Sequence, residues 1–146
     1  MKREILFRAK RKDNGEWVEG FYVCISGTKH YILTGNPVIS PHNVDVEFYR
    51  IIPETVGQFT GLTDRNGVKI FEGDIVHAVY QSNYIGCKNI DFGIGVIKYE
   101  GSYYGGAAYG IDIIGESGLR IFTASLEHGT EVIGNIYDNP ELLKGV

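Results

Sequence analysis

Cysteine is scarce in this 146-residue chain, and the two present, Cys24 and Cys87, stand far apart with no CxxC pair and no histidine beside either. That spacing does not fit a zinc site. With no export signal a disulfide is a poor expectation, so both read as reduced, half-buried thiols. Long apolar runs are missing as well. None approaches the roughly 20 residues of a membrane-spanning helix, and the opening MKREILFRAKRKD lacks the apolar stretch of a signal peptide. The expectation is a cytoplasmic protein with no membrane partner. Good helix formers are also few, with 7 Leu and 5 Ala against 18 Ile and 12 Val, while 20 Gly and 10 Tyr supply turns and strand residues. A mainly β fold follows. Since 43% of the residues are hydrophobic, the chain can bury a core and is not a disordered tail.

Recognisable catalytic patterns are equally thin. There is no GxSxG elbow for a nucleophilic serine, and Cys87 is a lone thiol after Gly86 in a polar stretch. His30, His42, His77 and His128 form neither HExxH nor a tight pair, and His77, inside an apolar strand, reads as a core residue. Gly93-Ile94-Gly95 lacks the third glycine of a dinucleotide loop, and no Walker lysine is present. In an EF-hand frame around Asp64, Asn66 and Gly67, the first position would be Leu62 and the twelfth Gly73, so both anchoring carboxylates are missing. Glu72 and Asp74 share a strand face, yet Asp after Gly at a strand entrance is ordinary turn chemistry. A non-enzymatic protein without metal or cofactor is the expectation.

Charge is present but divided. The net charge of −4 opposes long-range attraction of a polyphosphate, so any nucleic-acid contact has to be local. Residues 1–12 hold six basic groups (Lys2, Arg3, Arg8, Lys10, Arg11, Lys12) and one acid, whereas residues 100–146 hold seven acids and two bases. Two readings fit: a strand edge protected by cations, or docking between basic and acidic ends, within one chain or between copies.

Periodicity gives the elements. Residues 3–11 alternate as a strand with Ile5, Phe7 and Ala9 on one face, and Asp13-Asn14-Gly15 turns into EWVEGFYVCI, whose Trp17, Phe21, Val23 and Ile25 form the expected apolar face. Gly20 suggests a bulge there. Ser26-Gly27-Thr28 turns into the strand HYILT, residues 35–43 form a loop, and VDVEFYRI is a further strand. Beyond Pro53 comes either one helical turn or directly the strand GQFTGL, which Asp64-Arg65-Asn66-Gly67 reverses into VKIF. IVHAVY, apolar on nearly both faces, belongs at the centre of a barrel or sandwich. A polar loop (81–90), the strand FGIGVIKY, a turn at GSYYGG and the strand YGIDII follow, suggesting a small barrel. Residues 125–129 make one turn of helix, EVIGNIY a strand, and Asn139-Pro140-Glu141-Leu142-Leu143 a capped terminal helix. The expected architecture is one chain, 1–146, with N-terminal hairpins in 1–55 and a barrel with a short C-terminal helix in 56–146.

Six tyrosines (Tyr80, Tyr84, Tyr99, Tyr103, Tyr104, Tyr109) gather around loops of that barrel. Exposed, they can anchor a protein partner or stack on single-stranded bases; packed, they only leave a hydroxyl in water.

The segment IPETVGQFTGLTDRNGVKIFEGDIV (52–76) closely resembles the YopX family of phage and prophage proteins, and EVIGNIYDNPELL (131–143) is similar to that family's C-terminal signature. REILFRAK resembles its first strand, with Lys10 where an aromatic residue is expected and Trp17 able to supply the bulk. The resemblance implies a small β-rich chain with an SH3-like barrel, an oligomeric state and a bacterial host cytoplasm, and it carries over no catalytic residue. In it Gly57, Gly61, Gly67 and Gly73 permit turns or bulges, and Ile133, Ile136, Leu142 and Leu143 fill a core. The reading that results is an oligomeric assembly or adaptor protein that binds itself and a phage or host protein. Its candidate surface is Arg8, Lys10, Arg11, Lys12, Tyr84, Tyr103 and Tyr104. The alternative is a nucleic-acid accessory protein using the basic hairpin and the loop tyrosines.

Overall fold

A computed structural model describes residues 4–35, 46–82, 84–103, 106–116, 119–121 and 124–144. The protein is mainly β and antiparallel. Its elements are β1 (Phe7–Lys10), β2 (Trp17–Ile25), β3 (Lys29–Gly35), β4 (Val46–Arg50), a 3-10 turn η1 (Pro53–Thr55), β5 (Gly57–Thr63), β6 (Lys69–Phe71), β7 (Asp74–Tyr80), β8 (Ile90–Tyr103), β9 (Gly106–Ile113), β10 (Leu119–Ile121), α1 (Ala124–Gly129), β11 (Glu131–Asn135) and a second 3-10 turn η2 (Pro140–Leu143). Two compact units divide the chain, residues 1–59 and 60–146.

In the first unit the order is β4-β3-β2-β1, with the first residues of β5 beside β1. The β1–β2 turn closes on Gly15 at φ 72°, while the Asn14 Oδ1 accepts the Glu16 N–H. The β2–β3 turn places Ser26 and Gly27 both at positive φ, which matches the twist of the strands it joins. Gly20 is not a bulge. It pairs with Phe7 in unbroken register, and a Cβ there would lie 2.1 Å from the Leu33 carbonyl oxygen, so it is a place where two backbones close together. Among the described residues the core is small: Ala9, Ile32 and Ile51, with Phe7, Val18, Tyr22 and Val56 packed against them.

That core reverses the expected facing of β2. Trp17, Phe21, Val23 and Ile25 do share a face, but it is the outer one, with Phe21 47% and Ile25 46% exposed. Val18 and Tyr22 point inward instead. Both faces of β2 carry large apolar side chains, so alternation alone could not choose between them.

The segment after β4 binds the free edge of β1. Ile51 bridges Arg11, the Ile52 N–H donates to the Lys10 carbonyl, and Gly57 pairs with Arg8. Between these points Pro53-Glu54-Thr55 arches away as η1 and would strand the Lys10 N–H. The buried Thr55 hydroxyl oxygen accepts it at 2.8 Å, and the same hydroxyl donates to the Ile52 carbonyl at 2.6 Å.

The second unit holds a five-stranded sheet in the order β10-β9-β8-β7-β11. The order is open, and no closed barrel forms among the described residues. The larger core lies here: Ile70, Val76, Ala78, Ile97, Tyr109, Ile111, Ile113 and Leu126. β8 extends to Tyr103, into the expected turn segment GSYYGG, because Ser102 and Tyr103 pair with Ala107 and Gly106 beyond a register shift. β10 was not visible in the pattern. Ile133 sits at the register shift of β11 and is 36% exposed, while Ile136, Leu142 and Leu143 are only half-buried, so the four do not form the expected core. The C-terminal turn is 3-10, not a capped α-helix: Asn139 makes no side-chain cap, since its Oδ1 accepts the Asn135 N–H at 3.3 Å. Cys24 and Cys87 are free and exposed, not half-buried.

Candidate interaction surface

The two signature segments meet in the second unit, and their contacts explain their residues. Asp64, although buried, accepts three backbone N–H groups: Asn66 at 2.8 Å and Val68 at 2.9 Å through Oδ1, which shape the β5–β6 turn, and Val132 at 3.0 Å through Oδ2, which fixes β11. The same turn sends Arg65 and Asn66 to the Glu131 carboxylate. Asp74, also buried, accepts the Phe71 N–H at 2.8 Å and closes the β6–β7 turn. Gly73, at φ 89°, donates its N–H to Ile97 and accepts from Ile136, leaving 3.4 Å between its would-be Cβ and the Tyr137 ring. Asp64, Gly67, Gly73 and Asp74 are thus turn-building residues. Burial pushes the Glu72 carboxyl up from its usual range.

His77 is not a core residue. Its side chain is 41% exposed, and Nε2 lies 2.8 Å from the Asp91 carboxylate on the outer face of β7. The Gly93 N–H and then His77 hold the Asp91 carboxyl below the usual range. Nor do the tyrosines make one exposed cluster. Tyr109 is buried and meets Tyr99 edge-on at 5.5 Å, Tyr80 packs on the core, and Tyr84 is exposed in the 81–89 stretch. Tyr103 ends β8, and Tyr104 lies outside the described residues.

The basic residues sit in the first unit and divide between two faces of β1. Arg8 and Lys10 point outward, over the Trp17 ring at 4.7 and 5.5 Å. Trp17 pairs with Lys10 across the strands and so does supply an aromatic body at that position. Arg11 takes the opposite face, where Nε and Nη2 grip the Asp13 carboxylate at 3.0 and 2.6 Å and the guanidinium lies 4.4 Å from the Tyr49 ring centre. Arg11 holds the Asp13 carboxyl below its usual range, and Asp13 raises Arg11 in turn. Lys12 is exposed at the turn. The expected set of four cations and three tyrosines is therefore split between the units, and within the first unit between faces.

What sequence reading missed is the surface beside Arg8 and Lys10. Phe21, Leu33 and Phe48 lie in register across β2, β3 and β4, followed by the row Val23, Tyr31 and Arg50 and by the pair Ile25 and Lys29. Phe48 is 57% exposed and meets Tyr31 edge-on at 6.4 Å. Four cations (Arg8, Lys10, Lys29, Arg50) and one acid (Glu19) surround this apolar centre, all on the same sheet face by register. The signal was in the sequence as strands apolar on both faces. Among the described residues, no three of His, Cys, Asp and Glu come together as a metal ion requires, and no helix is long and apolar enough to cross a membrane.

Comparison with known proteins agrees with the signatures. None of the curated proteins matches this sequence. Among solved structures, the crystal structure of protein EF1440 from Enterococcus faecalis superposes with a TM-score of 0.56 at 24% identity, covering 98% of this chain and 100% of that one. At that identity the likeness is one of fold. The family model described as YopX protein matches residues 6–144, nearly the whole chain. The chain belongs to the YopX protein family.

Proposed function

We propose that this protein, encoded by a phage or prophage and acting in the bacterial cytoplasm, is a non-enzymatic assembly or adaptor module that binds other proteins through the outer face of β2, β3 and β4. The observation that carries this reading is the cross-strand row Phe21–Leu33–Phe48, whose two phenylalanines are 47% and 57% exposed. Isolated exposed apolar residues are ordinary on a soluble protein, but a contiguous set with polar residues around it is the anatomy of a contact surface. The basic rim selects a partner with an acidic rim. A second copy of the chain meets that requirement: residues 60–146 hold eleven acidic and six basic groups, a charge of −5, against seven acidic and eight basic in residues 1–59, a charge of +1. A phage or host protein with the same features is the adaptor's second partner.

The test is affinity capture from induced cells with the wild-type chain and with Phe21→Ser/Phe48→Ser, each with and without nuclease. A partner retained after nuclease and lost with the double variant supports the reading. Partners that vanish with nuclease would favour instead the nucleic-acid role of the basic hairpin.

A further inference from the structure

Beside the apolar face, the first unit has a concavity of about 430 Å³ lined by Arg11, Lys12, Asp13, Phe48, Tyr49 and Arg50. Its volume lies within the range of small-molecule sites. Its charges are unequal in availability. Asp13 is spent on Arg11, whose guanidinium grips both carboxylate oxygens and covers one face of Tyr49. The Tyr49 hydroxyl in turn donates to Glu47. Lys12 and Arg50 are different. Their backbones are tied by the Lys12 N–H to Arg50 carbonyl bond at 2.9 Å, so the two side chains leave from adjacent points. Among the described residues neither side chain has an ion-pair partner, and both are exposed. The concavity therefore offers two available positive charges, its one lining carboxylate already neutralised, and the largely exposed Phe48 ring as an apolar wall.

From this arrangement we infer that the concavity is a binding site for a phosphate monoester attached to a flat ring, a nucleoside 5′-monophosphate either free or at the 5′ end of a single strand. A phosphate monoester carries close to two negative charges at neutral pH, matching the two available cations. Arg50 presents a planar fork suited to two phosphate oxygens, and Lys12 adds a compact charge from the adjoining turn. The base then has the Phe48 ring to stack on, an interaction that tolerates any base. Arg11 and Asp13 are positioning residues, holding the turn that carries Lys12.

The test is calorimetric titration of the full chain with inorganic phosphate, AMP, adenosine and a short single strand bearing either a 5′-phosphate or a 5′-hydroxyl. Saturable AMP binding at one site, tighter than adenosine, is expected. Lys12→Ala/Arg50→Ala should weaken it by roughly tenfold or more, and Lys12→Arg, which keeps both charges and the Arg50 fork, should retain it. Phe48→Ala should weaken AMP while leaving inorganic phosphate unchanged, which separates the ring contact from the charges. If the 5′-phosphorylated strand binds more tightly than AMP and the 5′-hydroxyl strand does not bind, the strand end is the ligand; AMP as tight as the strand identifies the free nucleotide. Adenosine binding as well as AMP, or the double alanine variant binding AMP like the wild type, would overturn the proposal.

Discussion

The two units spend their apolar residues differently. Residues 60–146 bury eight hydrophobic side chains in one cluster, and their signature residues Asp64, Gly73 and Asp74 satisfy backbone groups that fix turns and seat β11. Among the described residues of 1–59 the cluster buries Ala9, Ile32 and Ile51, while Phe21, Ile25 and Phe48 stay about half exposed. Leaving these side chains about half exposed forgoes part of the roughly 1.5–3 kcal/mol that full burial of each would give. The exposed part of that face contributes little to the unit's own stability, and on the reading proposed above it is left for contact while residues 60–146 spend their apolar residues on folding.

The comparison can be broken most severely at Asp64. Asp64→Ala removes the buried acceptor of three part-buried hydrogen bonds and is expected to cost about 3 kcal/mol in urea unfolding. A loss under about 1 kcal/mol would show that the turn does not depend on this carboxylate.

In the first unit Thr55→Val keeps shape but leaves the Lys10 N–H without its acceptor. About 1–2 kcal/mol should be lost, and exchange protection at Lys10 should fall with it. Protection unchanged from wild type would remove η1 from the account of how β1 is held.

Phe48→Ser sharpens the contrast from the other side. Because its ring is largely in water, urea unfolding should change by no more than about 0.5 kcal/mol, while partner capture drops. A stability loss comparable to that of Thr55→Val would mean that the face is structural.

The smallest effect is expected at Glu72. Burial raises its folded carboxyl above the unfolded value, so the folded state holds its proton more tightly and stability falls as pH rises through that interval. Glu72→Gln should therefore stabilise at pH 7 by at most about 0.5 kcal/mol after solvent screening. The gain should vanish below about pH 4, where the carboxyl is protonated in both states. A gain that persisted there would exclude desolvation as its cause.

Much of the fold could be read from local chemistry. Asn14-Gly15, Ser26-Gly27 and Asp64 to Gly67 mark their turns because only certain residues tolerate positive φ or hydrogen-bond their own backbone two residues on. Pro53 and the apolar run in β7 were equally legible. What escaped depends on contacts distant in sequence. The third acceptor bond of Asp64 reaches Val132, 68 residues away, and no local pattern announces it. The facing of β2 failed for a related reason: Val18 and Tyr22 compete with Trp17 and Phe21, and the choice is made by Ala9 and Ile32 on other strands. His77 sits in an apolar strand, yet faces Asp91 because β8 brings a carboxylate beside it. The candidate surface was missed as a consequence of the β2 reversal, since reading Phe21 and Ile25 as core left only cations and tyrosines to consider.

Sedimentation equilibrium over a range of concentrations, on the wild type and on Phe21→Ser/Phe48→Ser, tests the central claim most directly. The exposed face of the first unit, if it is a contact surface for a second copy, should give the wild type a mass above the 16.2 kDa of one chain, falling with added salt, and the variant the mass of a folded monomer. A wild type that remains at 16.2 kDa at every concentration and salt, or a variant that associates as the wild type does, would contradict it.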